Sequence, residues 1–534
     1  MKKSQKIPQQ PAPAELQSLH QLFQAGNMQQ AESIAESMLK KYPKAPSLLN
    51  VIGLCQQHQG KLSQAASSFK KLLTVDPGIA EVHFNLAILL TQLDKVKDAV
   101  ASYRKAIKLK PDMTSAHFNL GTLLQSQGFL SESAKYYRKA VSLDSDFFQA
   151  QVNLGAVLQQ QGLLEEAEQC YRKNLSLHPN ARAHFNLGTV LYGLGQHEAA
   201  CEAFRNSLTL DPSFADAWNS LGEIQRDYGE MDKAILSYKK ALEIDPDHNR
   251  AKYNMGEYLC LADHFEDAIS YFEASQFADS QERALQCLYK TRQFDLFKQR
   301  FDSLIAKQKH TTVLLGTLST HYATNFGQKN HYPFCDNPMD FVLQTPIDEL
   351  IDKDNPLLEE LVHDITHLAI AERQQSRLYY GNQSAGNLLL RSEASFQSLA
   401  TLIIKKVKNY RKHFSGSQNG LIKEFPKNIE FTSSWYIRMK QGGHLTSHIH
   451  EEGWISGCVY LKLPDRMNGH EGSFAYSTDG DDYPRLNNDF PSQIVDVNVG
   501  DLVLFPSSLF HHTIPFSSDQ ERFCVAFDIK PAIT

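Results

Sequence analysis

A 34-residue period through the first half of this chain constrains its fold more than any other feature. Stacked at that interval, Ile52, Leu86, Leu120, Leu154, Leu187, Leu221 and Met255 fall in one column, with a single deletion near Ala181. The next column reads Gly53, Ala87, Gly121, Gly155, Gly188, Gly222 and Gly256. Twelve positions on come Ala65, Ala99, Ser133, Ala167, Ala200, Ala234 and Ala268. An aromatic column holds Phe69, Tyr103, Tyr137, Tyr171, Phe204, Tyr238 and Phe272. Small residues at matched places let two helices approach closely, and the ring fills the space toward the next unit. Prolines at 77, 111, 179, 212 and 246 close the units, with Ser145 as the exception. Proline cannot continue a helix, because it lacks the N–H and clashes backward. A unit this short cannot bury its apolar face alone, so the stretch must stack into an all-α solenoid.

These columns resemble the tetratricopeptide repeat. The resemblance places repeats over 15–277, with a degenerate first unit at about 15–43, after a flexible N-terminus at 1–14. Helical sequence from 278 to 329 reads as a cap, linker or worn repeat. One further column is not needed for packing: Asn85, Asn119, Asn153, Asn186 and Asn254, with Val51 and Ser220 in the other slots. Matched positions on the first helix of each unit are expected to line a concave groove. An asparagine there offers a donor and an acceptor to an extended peptide backbone. The repeats are similar in this respect to those of O-linked N-acetylglucosamine transferase. The other use for these side chains is a hydrogen bond to the adjacent helix or to water.

At 534 residues the chain is too long for one core, and its length predicts two or three domains. A net charge of −6 argues against a general nucleic-acid or membrane-surface binder. The basic run 405–414 reads as the solvated face of a helix whose inner side carries Leu402, Ile403, Val407 and Tyr410. The first residues are positively charged but lack an apolar leader segment, and no run of about 18 apolar residues suggests a membrane span. Eight cysteines lie scattered with no CxxC pair, as in a reducing compartment. The expectation is a soluble cytoplasmic protein.

Beyond about 310 the period vanishes. Residues 330–347 are irregular, 355–375 read as an amphipathic helix, and a second long helix follows a loop. From 427 the pattern turns to short β-prone runs: "IEFTSSWYIRMK", "GWISGCVYLKLP", "GSFAYST", "SQIVDVNVGDLVLFPS" and "ERFCVAFDIKP". Such runs, split by Gly, Asp, Asn and Pro, predict a double-stranded β-helix (jelly-roll) with supporting helices. The domain would span 330–534, with its β core at about 427–531.

Three features of that core bear on chemistry. His448 and His450 form an i, i+2 pair; if Thr446–Ile449 is strand-like, both point to one face, as a metal ion needs. In "GDLVLFPSSLFHHTIPF" (500–516) an apolar strand ends in a turn carrying His511 and His512. Arg522 sits among Phe523, Val525 and Phe527, a costly place unless a carboxylate meets it. Iron(II) suits imidazole and carboxylate ligands with open positions, and a guanidinium fork clamps a carboxylate bidentately. Ser456, Cys458 and Tyr460 alternate on one face, so a hydroxyl among them could touch a bound carboxylate. His444 reads as a loop residue, His512 as surface, and Asp501 as part of a turn.

With these pieces in place, residues 330–530 resemble the 2-oxoglutarate/iron(II) oxygenases found behind tetratricopeptide repeats. The matching segments are "HYPFCDNPMDFV", "GNQSAGNLL", "GGHLTSHIHEEGWISGCVYLKLP" and "GDLVLFPSSLFHHTIPF…ERFCVAFDI". The last two are also similar to the core of aspartyl/asparaginyl β-hydroxylase. The resemblance implies metal ligands at His448 and His511, and a 2-oxoglutarate carboxylate on Arg522, with Ser456 and Tyr460 as further co-substrate contacts. This chain departs from the usual His-x-Asp or His-x-Glu motif by carrying His450 where the carboxylate belongs. His450 is a third ligand, or it stands behind a two-ligand metal, or Glu451 or Glu452 swings in. Zinc would fill a three-histidine site equally well, but a plain zinc site has no use for Arg522.

The implied activity is hydroxylation coupled to decarboxylation of 2-oxoglutarate to succinate at Fe(II), on a protein or peptide side chain recruited by the repeats. The rivals are an inactive domain on a repeat scaffold, and a small-molecule oxygenase whose repeats serve assembly. Oligomeric state is open.

Overall fold

The computed structural model describes residues 10–307, 312–368, 370, 372–373, 377–425 and 428–531. They belong to two compact units, Met1–Ala251 and Lys252–Thr534, whose division falls within the helix Asn249–Leu261. Residues 1–9 of the expected flexible N-terminus lie outside the described residues, and the first helix, Pro13–Gln24, begins inside the remainder.

The first unit consists of paired helices from Pro13–Gln24 to Met231–Ile244. The glycine and aromatic columns turn out to be one contact. A Cβ at Gly53, Gly121, Gly155, Gly188 or Gly222 would come within 2.5–2.9 Å of the ring sixteen residues later, at Phe69, Tyr137, Tyr171, Phe204 and Tyr238. Real Cβ atoms do not approach that closely, so a side chain there would displace the plug. Another column joins the two helices of each pair. Gly60, Gly128, Gly162, Gly195 and Gly229 all have φ between +73° and +78°, while Asp94 fills the same slot at +55°. Left-handed backbone favours glycine and tolerates aspartate.

The second unit opens with helical pairs that continue the pattern. Asp263 (φ +59°) turns the chain between Asn249–Leu261 and Phe265–Ala274, and Arg292 (φ +60°) does so between Ser280–Lys290 and Phe294–Ile305. The worn segment is therefore a further helical pair, followed by the helix Val313–Asn325. The helix expected at 355–375 is shorter, Leu357–His367, because the backbone turns extended at Leu368; residues 369, 371 and 374–375 lie outside the described residues. The second long helix, Ala394–His413, buries Phe396, Leu399, Ile403, Val407 and Tyr410 and leaves Lys405, Lys408 and Lys412 exposed.

The described residues of this unit include ten strands: β1 Leu343–Pro346, β2 Glu372–Arg373, β3 Leu378–Ser384, β4 Ile429–Leu445, β5 Ile455–Lys462, β6 Phe474–Ser477, β7 Ser492–Val495, β8 Asp501–Pro506, β9 Phe510–Thr513 and β10 Arg522–Pro531. They form two antiparallel sheets, one of seven strands in the order β1-β8-β5-β10-β4-β3-β2 and one of three in the order β7-β6-β9. The run "SQIVDVNVGDLVLFPS" splits into β7 and β8 around Gly500, whose φ is +88°. This solenoid followed by antiparallel sheets is the α-then-β layout expected for a tetratricopeptide array with a jelly-roll-like domain. Among the described residues no helix is long and apolar enough to cross a membrane.

Candidate active site

Strand β10 is the spine of the site. Its alternate residues Arg522, Cys524, Ala526 and Asp528 share one face. The register sets Arg522 beside Met439, Cys524 between Ile437 and Tyr460, Ala526 between Trp435 and Cys458, and Asp528 between Ser433 and Ser456. The rows thus run from an arginine at one end to an aspartate at the other. The cavity over these rows is lined by Trp435, Ile437, Tyr460, Phe474 and Phe505 together with His448, His450, His511 and Arg522.

The histidines arrive by a different route from the one expected. β4 stops at Leu445, so Thr446–Ile449 is not a strand, and His511 lies on the short strand β9 rather than in a turn. His448 and His511 instead form an isolated antiparallel bridge, exchanging backbone hydrogen bonds of 3.1 and 3.0 Å. Such a pair sets both side chains on one face. His450 is fixed by its own N–H, which donates to the Ser507 carbonyl at 3.1 Å. The three imidazoles bring one nitrogen each within 4.8 Å of one another.

Their tautomers follow from the acceptors behind them. Nδ1 of His448 faces the Thr446 carbonyl at 2.8 Å, Nδ1 of His511 faces the Leu509 carbonyl at 3.2 Å, and Nδ1 of His450 faces Asp528 Oδ1 at 2.7 Å. A carbonyl or carboxylate can only accept, so each Nδ1 carries the proton and each Nε2 keeps its lone pair. Nε2 of His450 and Nε2 of His448 stand 3.2 Å apart. Two nitrogens about 2.1 Å from one ion lie roughly 3.0–3.4 Å from each other, so this spacing fits a shared metal. Burial, then the neighbouring His450, pushes His448 down to about 3, and burial holds His511 far below the usual imidazole range. Neutral imidazole is the form a metal requires.

Glu451 is ion-paired with Arg283, on the helix Ser280–Lys290, and Glu452 is exposed. Neither joins the histidines. Arg283 also reaches Asp279 at 3.1 Å.

Arg522 is 2% exposed, and among the described residues no carboxylate pairs with it. Its Nε donates to the Gly472 carbonyl at 3.0 Å, Nη1 approaches Cys524 Sγ at 3.3 Å, and the guanidinium lies 5.1 Å from the Tyr460 ring centroid. Among the described residues the buried Tyr460 hydroxyl has no hydrogen-bond partner. A hydrogen bond from the Cys458 thiol and the nearby guanidinium bring the Cys524 thiol down to about 6, against the effect of burial. A buried cation and an orphaned hydroxyl in one cavity with three metal-type nitrogens suit a small molecule with a carboxylate at one end and a chelating group at the other.

Ser456 has other work. Its hydroxyl donates to Asp528 Oδ1 at 2.6 Å and meets Ser507 Oγ at 2.8 Å, so it supports the aspartate rather than facing the cavity. His444 belongs to β4, where it stacks on Tyr379 with the rings 4.9 Å apart and 4° from parallel. His512 is half-buried at the cavity edge, not on the open surface. Asp528 is the residue that sequence reading missed. It alternates with Arg522 along β10, and an aspartate among Val525, Phe527 and Ile529 is as anomalous there as the arginine.

In the repeats, the Asn153 amide donates to the Tyr137 hydroxyl at 3.2 Å, and Asn119 is half-buried. Asn85 and Asn186 are half-buried, and Asn254, in the second unit, is buried.

Residues 433–528 match the family model described as "Putative 2OG-Fe(II) oxygenase". Residues 89–128, 114–147, 146–213 and 215–248 match models of the tetratricopeptide repeat. The chain therefore carries tetratricopeptide repeats and, behind them, a 2-oxoglutarate/iron(II) oxygenase family domain. Among solved structures it is similar to YrrB, titled a repeat protein with an unusual peptide-binding site, at 26% identity, a TM-score of 0.32, and coverage of 35% of this chain and 96% of that one. MamA from Desulfovibrio magneticus RS-1 matches at 20% identity, a TM-score of 0.31, and coverage of 32% and 97%. The C-terminal part of a repeat protein from Cytophaga hutchinsonii matches at 15% identity, a TM-score of 0.40, and coverage of 44% and 97%. No curated protein matches the chain. The family implies Fe(II) and 2-oxoglutarate, and the donor set of three imidazoles and one buried guanidinium fits both.

Proposed function

We propose that this protein is an Fe(II)/2-oxoglutarate-dependent oxygenase that hydroxylates a protein or peptide side chain recruited by its repeats. The observation that carries the reading is the unpaired, fully buried Arg522 in one cavity with three Nε2 lone pairs. His448, His450 and His511 would hold the iron, and Arg522 with Tyr460 would hold the distal carboxylate of 2-oxoglutarate. When bound, the iron supplies oxygen activation coupled to decarboxylation of 2-oxoglutarate to succinate. The protein's share is geometric: Arg522 orients the co-substrate, the backbone bridge fixes His448 against His511, and Trp435, Ile437, Phe474 and Phe505 keep water from the reacting atoms.

The test is an anaerobic titration with Fe(II) and 2-oxoglutarate, followed by succinate release in air. Wild type should release succinate that depends on both, and His511→Ala should not. No signal in wild type above that control removes the enzyme reading.

Recruitment rests on Asn85, Asn119, Asn153, Asn186 and Asn254. Replacing Asn119 and Asn153 by Ala should weaken capture of a protein substrate and leave uncoupled turnover intact. A second reading, in which the repeats serve assembly and the substrate is a small molecule, is favoured by the bond that Asn153 gives to Tyr137. Equal effects in both assays, or none in either, support that second reading.

A further inference from the structure

Asp528 has no task in the proposed reaction, yet its surroundings are built around it. The carboxylate is 4% exposed, between β4 and β5. Oδ1 accepts from His450 Nδ1 at 2.7 Å and from Ser456 Oγ at 2.6 Å, and Oδ2 accepts from Ser433 Oγ at 2.9 Å. Ser507 closes the ring: its hydroxyl meets Ser456, and its carbonyl receives the His450 N–H. The register of β10 against β4 shifts between Asp528 and Ile529, and such a bulge re-aims a side chain. At Gly453 a Cβ would stand 2.5 Å from Ser507 Oγ and 3.1 Å from Asp528 Oδ1, so the loop packs on the carboxylate only because that residue has no side chain.

The carboxylate settles which His450 nitrogen is free. With Nδ1–H held at Asp528, Nε2 is left as a bare lone pair 3.2 Å from a second bare lone pair on His448. Two acceptors do not rest against each other without a cation between them. A histidine bound to metal commonly donates its other N–H to a carboxylate, which orients the ring and raises its basicity.

We infer that Asp528 is the positioning carboxylate of a three-histidine metal site, fixing His450 as the ligand in the place where a His-x-Asp or His-x-Glu motif would supply the carboxylate itself. The negative charge such a motif brings directly to the ion is kept here, one imidazole further out. The inference rests on the oxygenase reading only for which metal is bound.

The experiment uses Co(II) as the probe on the full chain, reading affinity and the visible ligand-field spectrum. Asp528→Asn keeps the shape and removes the charge; it should weaken Co(II) binding about 10–100-fold and alter the spectrum. His450→Ala should lose at least as much. Adding Asp528→Asn to His450→Ala should then change little, because the aspartate acts through that ring. Losses that multiply in the double variant, or wild-type affinity and spectrum in Asp528→Asn, overturn the inference. If Asp528→Asn shows no cooperative melting, Ser433→Ala and Ser456→Ala take its place. Each removes one bond that orients the carboxylate and should shift affinity and spectrum the same way, by less; unchanged binding in both overturns the inference. Wild type without Co(II) affinity, or His448→Ala with undiminished affinity, overturns this inference and the oxygenase reading together. Binding that depends on Asp528 without 2-oxoglutarate turnover overturns the oxygenase reading alone.

Discussion

The helical repeats and the sheets use their residues in opposite ways. In the repeats one contact, a glycine under an aromatic ring, recurs in five units from Gly53 and Phe69 to Gly222 and Tyr238, with Ala87 in the glycine's place in the unit between Gly53 and Gly121. In the sheets every chemistry-bearing residue occurs once, and its partner lies far away in sequence: His448 against His511, His450 against Asp528. Redundancy spreads the repeats' stability over many equivalent joints. The site has no such spread, so one substitution should remove its function while leaving the fold.

The largest expected effect follows from that contrast. His511→Ala should lower Co(II) or Fe(II) affinity by more than about 100-fold, beyond what losing an outer-shell partner does. The metal-free protein should still fold cooperatively, because the loss is confined to one side chain, its hydrogen bond to Leu509 and its ring contacts with Phe474 and Phe505. A metal titration and a thermal melt on the same sample check both. A large loss of stability with metal binding intact would reverse the assignment of roles.

The opposite substitution is Gly121→Leu. Its side chain would meet the Tyr137 ring, and overpacking of this kind destabilises by about 1–3 kcal/mol. Denaturant midpoints should fall, metal affinity should hold, and Gly155→Leu should behave alike against Tyr171. Unequal effects of the two would mean that the repeats are less interchangeable than their contacts suggest.

The same contrast decided what could be read from residues alone. A column seen seven times averages away exceptions such as Ser145 and Ala87, so the stacked helix pairs are legible in the sequence, whereas the seating of each ring on the glycine of its own pair is not. The turn column of Gly60, Gly128 and Gly229 is equally visible in the spacing, at positions where glycine serves backbone conformation and not packing. In the sheets, His448, His511 and Arg522 could be singled out because their types are anomalous where they stand. What joins them could not. The bridge that sets His448 beside His511, and the bulge that aims Asp528 at His450, are long-range registers that no local pattern encodes. Ser456 meets the same limit: alternation shows the face it shares with Tyr460, but not that an aspartate from β10 already holds its hydroxyl.

The smallest expected effect concerns the turn column and tests interchangeability at its finest grain. Asp94 adopts φ +55° where Gly128, one repeat later, adopts +78° with nothing within 4 Å of an added Cβ. Left-handed backbone disfavours a side chain by roughly 1–2 kcal/mol, less for aspartate, while glycine loses about 0.5–1 kcal/mol through the freedom of the unfolded chain. The two terms nearly cancel, so Asp94→Gly and Gly128→Asp should shift stability in opposite directions by no more than about 0.5 kcal/mol each. Urea midpoints of the two single variants and of the double exchange measure this, and the exchange should come out close to wild type. If both single variants destabilise by 1 kcal/mol or more, each turn holds contacts of its own, and the repeats are a chain of individuals, as the active site is.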